Sequence, residues 1–292
     1  MFPLPKGLIL LGFSGGPDSV GLAAALADDE ILLAYADHRL RGPRASREER
    51  RKVTAIARVL GRRLVRTRLT GRDPSEAGAR HERYRALTAL ARRHGCVAIA
   101  TAHTADDLAE TVLFNLLRGT GLRGLGSLRP ATVIDGVPRV RPALDERRAD
   151  LRARAEAFEP VEDLTNRSCR ASRARLRGLL LPALGRQLGE DPVPALCALA
   201  REATAMRAVL EKRATSLAAG SGRRRLVAEP EVAFPYLVEA VRRRAGRTGP
   251  PLTRNAYRSL RAFLGAGRAG RSLKTPGGET WSLRAGGGFE VS

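Results

Sequence analysis

The sequence predicts an α/β fold in which a doubly wound, mainly parallel sheet is followed by a helical extension and a small C-terminal α/β domain. Several short apolar runs have the length and composition of strands that are buried on both faces of a sheet. They lie at residues 8–13, 31–36, 64–69 and 97–101. Segments with helical periodicity separate them, and this βαβαβ order favours parallel strands joined by helical crossovers.

The helices between these strands are predicted from their first residues. Ser46 begins a Ser-Arg-Glu-Glu capping box, and the helix that follows should end at Gly61. Residues 75–93 form the second predicted helix. Thr104 with Asp107 three residues later can cap a third.

The strand signal fades after Pro142, and helices dominate from there. The stretch at 185–194 contains several Gly and Pro residues and is typical of a connection. We therefore predict a first domain over 1–188 and a second over 189–292. The helices predicted after Pro142 lie at residues 145–158, 173–184 and 195–217.

The charge balance indicates a polyanionic partner. The chain has 52 Lys+Arg against 30 Asp+Glu, a formal net charge of +22, and almost all of its cations are arginines. Nucleic acid is the first candidate for such a surface. The three cysteines form no C-x-x-C pair and no Cys/His cluster, which speaks against a disulfide framework, a zinc site or an iron–sulfur cluster. We expect a soluble cytoplasmic chain with no membrane segment and no disulfide-linked partner.

A glycine-rich loop after the first strand has the features of a phosphate cradle. Its glycines permit close backbone approach, its serines offer hydroxyls, and the next helix points its N-terminus at the bound group. It is no Walker A loop, and Asp18 fits beside phosphate only if Mg²⁺ bridges the two. The alternative is an ordinary strand-to-helix turn. The loop residues are Ser14, Gly15, Gly16, Pro17, Asp18 and Ser19.

Acidic and histidine side chains follow the second and fourth predicted strands. Because the carboxyl ends of parallel strands meet at one edge of a sheet, these residues should face the same loop. A carboxylate cluster there can hold Mg²⁺ or bind an amine. The alternative is that the acids at the start of the third helix only favour its dipole and that both histidines are structural. The residues are Asp37, His38, His103, Asp106, Asp107 and Glu110.

The loop resembles the signature of the PP-loop ATP pyrophosphatases, and further motifs are similar to those of the tRNA(Ile)-lysidine synthetases. The resemblance covers about residues 8–184. Its motifs are Asp-His-Arg-Leu-Arg at 37–41, Ala-Arg-His-Glu-Arg-Tyr at 79–84, the segments 101–111 and 118–125, Glu-Asp-Leu-Thr-Asn at 162–166 and the arginine block at 172–177 ending in Leu181-Pro182. Leu108 stands where the family pattern has Gln, and Ala174 and Gly178 stand where it has Asn and His.

The resemblance implies an ATP-dependent ligation in two steps. ATP first adenylates the C2 carbonyl oxygen of the wobble cytidine in a tRNA(Ile) with a CAU anticodon, and pyrophosphate leaves. The ε-amine of free L-lysine then attacks C2 and displaces AMP to form lysidine. Asp18, Asp37, Asp106 and Glu110 would be catalytic, with Asp18 on Mg²⁺. The loop at 14–19 and His38 would bind ATP. The implied substrate-binding residues are Arg80, Tyr84, His103, Asp107, Arg118, Arg173, Arg175 and Arg177.

Three other functions compete with this interpretation. A PP-loop tRNA thiolase would need cysteines to carry sulfur or hold a cluster. An arginine-rich RNA-binding module would explain the charge but leave the loop and its acids without purpose, and a small-molecule ligase would not need a +22 surface. The arginine block itself has two interpretations, because Arg173, Arg175 and Arg177 either grip an anticodon loop or pair with Glu162 and Asp163.

Overall fold

The computed structural model describes residues 1–37, 42–70, 76–161, 172–218, 223–247 and 251–292, without the side chains of 42, 43, 45, 76, 77, 172, 173 and 223–225. The chain divides into two compact units, Met1–Ala203 and Thr204–Ser292. The division after residue 188 stays a prediction.

The first unit contains a six-stranded sheet in the order β3-β2-β1-β4-β6-β5. Strands β1, β2, β3, β4 and β6 run parallel, and β5 pairs antiparallel with β6. This arrangement confirms the predicted doubly wound, mainly parallel sheet. The strands are β1 Ile9–Gly12, β2 Ile31–Asp37, β3 Leu64–Arg68, β4 Ala98–Ala100, β5 Ala131–Ile134 and β6 Val137–Val140.

Helices cover both faces of this sheet. Leu11 packs with Val20 and Val53 on one face, whereas Leu10 packs with Leu87 on the other. Because neighbouring strand residues point to opposite faces, a strand buried on both must be apolar throughout, as the sequence runs are. The helices are α1 Pro17–Ala25, α2 Gly42–Val59, α3 Glu76–Arg93, α4 Ala105–Leu117, α5 Leu122–Leu125, α6 Arg148–Ala155, α7 Ser172–Arg175, α8 Leu181–Leu188 and α9 Pro192–Ala218. A 3₁₀ turn at Glu156–Phe158 follows α6, and a π-helical turn at Leu176–Leu180 joins α7 to α8.

Two predicted boundaries are wrong. Ser46 does not cap α2 but lies buried inside it, because the helix already begins at Gly42 with Pro43 in its first turn, where a missing N–H is tolerated. The predicted connection at 185–194 is mostly helical, since α8 continues through Gly185 to Leu188. Glycine inside a helix costs only about 1 kcal/mol relative to alanine, so packing readily outweighs it.

The sequence interpretation missed the β5–β6 hairpin. Asp135 and Gly136 form its turn with positive φ angles of 53° and 73°. An Asp-Gly pair with both φ angles positive is typical of a two-residue hairpin loop. The hairpin adds β6 beside β4 and thereby directs the residues after Val140 to the carboxyl edge of the sheet.

The second unit is a small α/β unit, as predicted. Its strands form an antiparallel sheet in the order β7-β8-β9, and its core contains Phe234, Leu260 and Trp281. No described helix is long and apolar enough to cross a membrane. The elements are α10 Arg223–Ala228, α11 Phe234–Arg244, α12 Arg254–Ala266, β7 Ser272–Lys274, β8 Thr280–Leu283 and β9 Phe289–Val291.

Helices α1 and α6 pack closely against each other at Gly21. A Cβ atom at this position would lie 1.9 Å from the carbonyl oxygen of Leu151. We therefore expect Gly21→Ala to lower the free energy of unfolding by about 3 kcal/mol, because the two backbones would have to separate. Gly178→Ala is the control, since its Cβ would meet nothing within 4 Å. Equal urea midpoints for both variants would contradict this prediction.

Candidate active site

The loop after β1 is shaped by its two serines and two glycines. The Ser14 hydroxyl lies 3.2 Å from the Ser19 hydroxyl and accepts from the Gly16 N–H at 3.3 Å. Gly15 has a φ of +77°, and a Cβ there would lie 2.7 Å from a methyl group of Val53. Gly16 directly precedes α1, and Pro17 is the first residue of that helix. The loop thus presents the start of α1 at the carboxyl edge of the sheet, where a phosphate group could accept from its backbone.

Asp18 lies in the first turn of α1 beside two arginines. Its carboxylate is 3.6 Å from Arg148 Nε and 3.5 Å from Arg152 Nε. The Oδ1 atom is buried and makes no hydrogen bond among the described residues. Burial raises the pKa of Asp18, and the charge of Arg148 only partly opposes that effect. An additional cation at this carboxylate would therefore be favourable.

The start of α4 is capped as the sequence predicts. The Asp107 N–H donates to the Thr104 hydroxyl at 3.4 Å, and the Thr104 N–H donates to Asp107 Oδ2 at 2.9 Å. Burial would raise the pKa of Asp107, but Arg148, His103 and the Thr104 hydrogen bonds outweigh it and lower the pKa. Asp107 is therefore held ionised.

Asp106 contacts the start of α6. Its Oδ2 accepts from the Arg148 backbone N–H at 2.7 Å, and its Oδ1 accepts from the Arg147 guanidinium at 3.1 Å. Arg147 also pairs with Asp191, between α8 and α9. The side chain of Arg147 is 41% exposed, so this contact can exchange with solvent or ligand.

Glu110 lies one turn further along α4 and is almost fully buried. Arg148 donates to its Oε1 at 3.0 Å from two nitrogens. Arg177 donates to Oε1 at 2.7 Å and to Oε2 at 3.0 Å. Two guanidinium groups therefore compensate one buried carboxylate, and Glu110 orients both of them.

Arg148 connects these acids, and the sequence interpretation missed it. Its guanidinium contacts Asp18, Asp107 and Glu110, which belong to α1 and α4. Burial by itself would lower the pKa of Arg148, but the three carboxylates raise it. The Asp135-Gly136 turn was the signal that could have found Arg148, because the hairpin places the following segment at the same sheet edge.

A cavity of 690 Å³ opens beside this cluster. Acidic and basic groups alternate on its wall, and Leu181 with Pro182 adds an apolar part. Such a wall can bind a ligand that carries both charges and an aliphatic chain. The charged lining residues are Asp106, Glu110, Arg147, Arg148, Arg177 and Asp191, together with Arg186 and Glu190.

The structure brings only some of the other predicted residues to this cluster. His103 contributes charge at Asp107 and lies 2.9 Å from the Thr101 hydroxyl. Asp37 is instead paired with Arg50 at 3.2 Å, since β1 separates β2 from β4 and holds their ends about 10 Å apart. Arg118 caps the opposite end of α4, with its guanidinium 5.1 Å from the centre of the Phe114 ring.

The remaining predicted residues lie on elements away from the Arg148 cluster or outside the described residues. Arg80 and Tyr84 belong to α3, on the other face of the sheet. Arg175 is exposed in α7. His38, Glu162, Asp163 and the Arg173 side chain lie outside the described residues.

Comparison with known proteins agrees with this geometry. The PP-loop domain family matches residues 2–184. A solved U34-tRNA thiolase from Methanococcus maripaludis superposes with a TM-score of 0.55 over 68% of this chain and 71% of its own, at 16% sequence identity. At that identity the likeness shows the fold alone.

Closer relatives are tRNA(Ile)-lysidine synthases. The protein from Bradyrhizobium sp. strain BTAi1 is 36% identical over 81% of this chain and 70% of its own length, and that from Methylobacterium sp. strain 4-46 is 39% identical over 80% and 71%. The Novosphingobium aromaticivorans relative is 39% identical over 60% of this chain, but the match spans only 56% of that relative. Arg148 joins the glycine-rich loop after β1 to the α4 carboxylates, and the matches show that this chain belongs to the tRNA(Ile)-lysidine synthase family of PP-loop proteins.

Proposed function

We propose that this protein ligates free lysine to C2 of the wobble cytidine in a tRNA(Ile) with a CAU anticodon, at the expense of ATP. The observation that carries the proposal is the contact of Arg148 with both Asp18 of the phosphate loop and the α4 carboxylates. That contact joins a nucleotide site to a cavity with a mixed charge. The family membership supplies the reaction class.

In the first step the C2 oxygen of cytosine attacks the α-phosphorus of ATP, and pyrophosphate leaves. The loop at 14–19 and the start of α1 would donate backbone N–H groups to the phosphates. Asp18 would hold Mg²⁺ through its buried Oδ1, in exchange for the ion pair of that atom with Arg152 Nε at 3.5 Å. One carboxylate with substrate phosphates is a common Mg²⁺ environment, and the ion would neutralise charge on the phosphates. Asp37 would act nearer the nucleotide.

In the second step the ε-amine of lysine attacks C2, and AMP leaves. Asp106 would first pair with the lysine ammonium in exchange for Arg147, whose contact is partly exposed. Glu110 would act mainly through Arg177 and Arg148, which it holds towards the cavity. Their guanidinium groups could bind the lysine carboxylate. The amine must lose a proton before it attacks, and a carboxylate at its side is placed to accept that proton.

The tRNA partner is supported by the charge of the chain. A net charge of +22 suits an RNA surface, and Arg175 is exposed at the end of α7, just before the π-helical turn that contains Arg177. A flipped wobble base is also an ordinary target for arginine planes. These substrates favour a cytoplasmic location.

Sulfur transfer receives no support from the described cysteines. Burial raises the pKa of both the Cys96 and the Cys197 thiols, and the Cys197 thiol donates to the Ala105 carbonyl at 3.3 Å. A thiol that carries sulfur is normally activated by a lowered pKa.

We expect Asp18→Asn to abolish tRNA-dependent pyrophosphate release while the fold persists. Because the folded-state pKa of Asp18 is raised above 3.8, ionisation of Asp18 lowers the stability as the pH rises from the unfolded-state pKa through the folded-state pKa, and the loss is complete above the latter. The variant should therefore melt at or above the wild-type temperature at pH 7. Activity would be followed as a function of Mg²⁺ concentration. Wild-type turnover with an unchanged Mg²⁺ dependence would disprove the role of Asp18.

We expect Asp106→Asn to raise the KM for lysine about 10- to 100-fold, since a charge-assisted contact contributes about 1.5–3 kcal/mol. Pyrophosphate release should change much less. Asp145→Asn is the matched control, because Asp145 is an exposed acid that pairs with Arg201. An equal loss in both steps would assign Asp106 to the nucleotide instead.

Arg175 and Arg177 should behave differently when each is changed to Gln. Arg175→Gln should weaken tRNA binding and reduce the slope of log K against log salt by about 0.7–0.9, because one phosphate contact is lost. Arg177→Gln should lower the melting temperature, since it leaves the buried Glu110 with fewer partners. An unchanged salt slope for Arg175→Gln, measured with ATP binding as a control, would exclude Arg175 from the RNA surface.

A further inference from the structure

Two buried arginines lie at the end of β6, on the face of the sheet that α3 covers. Arg139 and Arg141 are each 6% exposed, and their spacing of two places them on the same face. The Arg139 guanidinium lies 4.3 Å from the centre of the Tyr84 ring, and that of Arg80 lies 5.2 Å from it. Arg141 is near the Tyr84 hydroxyl. Two guanidinium groups therefore lie over one aromatic ring, and a third interacts with its hydroxyl.

Few hydrogen-bond acceptors surround these cations. Arg139 donates to the Thr88 hydroxyl at 3.4 Å, and Arg141 donates to the Arg129 carbonyl at 2.6 Å. The Nε atoms of Arg129, Arg139 and Arg141 are buried, and they make no hydrogen bond to any residue that the structure describes. The same holds for the hydroxyl of Thr132, which faces Arg139 across β5 and β6. The cluster therefore contains more hydrogen-bond donors than the described residues provide acceptors for.

No carboxylate among the described residues forms an ion pair with Arg139 or Arg141. Asp135 acts on Arg139 only through its charge. Other buried arginines are compensated directly, since Arg148 contacts Asp107 and Glu110, and Arg242 contacts Glu239 and Glu279. Arginine does not lose its proton at neutral pH, so the Arg139 and Arg141 charges persist and favour an external anion.

The cluster lies next to the proposed active site along the sheet. Strand β6 neighbours β4, and the Thr101 N–H donates to the Val140 carbonyl at 3.1 Å, two residues before His103. Tyr84 and Val137 pack on the α3 face, whereas Leu151 of α6 packs on the α1 face. The cationic cluster and the Arg148 cluster therefore flank one edge of the sheet from opposite faces.

We propose that Arg139 and Arg141, with Arg80 and Tyr84, bind a backbone phosphate of the RNA substrate. The proposal rests on the function proposed above, because the wobble base can enter at this edge only if the neighbouring backbone is held beside it. Planar guanidinium groups match the geometry of a phosphate, and the exposed Arg80 provides a charged entrance. RNA supplies such phosphates in a row, which also fits the basic charge of the whole chain.

The test measures tRNA binding against salt concentration for Arg139→Met and Arg139→Lys. Arg139→Met keeps an unbranched stem on Tyr84 but removes the charge, so binding should weaken several-fold and the log–log salt slope should fall by about 0.7–0.9. Arg139→Lys should retain the slope. Arg141→Gln should behave like Arg139→Met. Arg58→Met, an exposed position on α2 at the opposite face, is the control and should match the wild type.

Melting without RNA separates binding from bracing. Removal of a buried charge that lacks an acidic partner should leave the melting temperature of Arg139→Met at or above that of the wild type. A lower melting temperature with an unchanged salt slope would overturn the proposal. A second result would also overturn it: inorganic phosphate stabilises the wild type but not Arg139→Met, and the two proteins bind RNA equally well. The site would then bind free phosphate and not the RNA backbone.

Lysine incorporation by the same proteins tests the proposed function independently. If the wild type binds tRNA with an Arg139-dependent slope but incorporates no lysine, the phosphate site stands and the ligase function fails. If the wild type incorporates lysine and Arg139→Met has the wild-type slope, the ligase function stands and the phosphate site fails.

Discussion

The guanidinium of Arg148 is buried between the first turns of α1, α4 and α6, where it contacts Asp18, Asp107 and Glu110. Any of these carboxylates left alone in that position would be strongly unfavourable, and loss of one partner from a buried ion pair costs about 3–5 kcal/mol. The interaction thus fixes the phosphate loop relative to α4. Arg177, in the π-helical turn between α7 and α8, completes the compensation of Glu110. The positions of the loop, the acids and the cavity all depend on this one charge.

Compensation within the cluster is uneven, and that difference gives the acids different chemical roles. Glu110 is buried under two guanidinium groups, and Asp107 is fixed by the capping box and Arg148. Asp106 faces the more exposed Arg147, which is shared with Asp191. A ligand ammonium can replace a partly exposed side chain at a smaller desolvation cost than a buried one. In the proposed reaction Asp106 is therefore the carboxylate best suited to bind the lysine amine, and Glu110 would orient the cations.

The buried arginines that the structure describes fall into two kinds. Arg148 in the first unit and Arg242 in the second have carboxylates within ion-pair distance, and Glu239 also accepts from Tyr257 at 2.6 Å. Arg139 has instead an aromatic ring and a threonine hydroxyl. In an ion pair the two charges compensate each other, whereas a buried cation without an acidic partner is stabilised by any anion that binds next to it. Burial alone thus does not distinguish a structural arginine from an arginine that can bind a ligand. The presence or absence of a carboxylate partner distinguishes them.

The sequence by itself determined the parallel sheet, the phosphate loop and the capped start of α4. Strands buried on both faces must be apolar throughout, a tight loop needs glycine at residue 15, and Thr104 with Asp107 is a local capping pair. Each of these signals lies within a few neighbouring residues. The family motifs are local for the same reason, and they can therefore be recognised in the sequence without the fold.

Only the tertiary structure decided which charges meet. Glu110 and Arg148 are 38 residues apart, and Glu110 and Arg177 are 67 apart, so no local pattern links them. Asp37 and Asp106 follow strands that both end at the same sheet edge, yet β1 lies between those strands and Asp37 pairs with Arg50 instead. Ion pairing depends on distance in space and on burial, and strand order with helix packing fixes both. The sequence therefore named most of the acids, and the fold selected their partners.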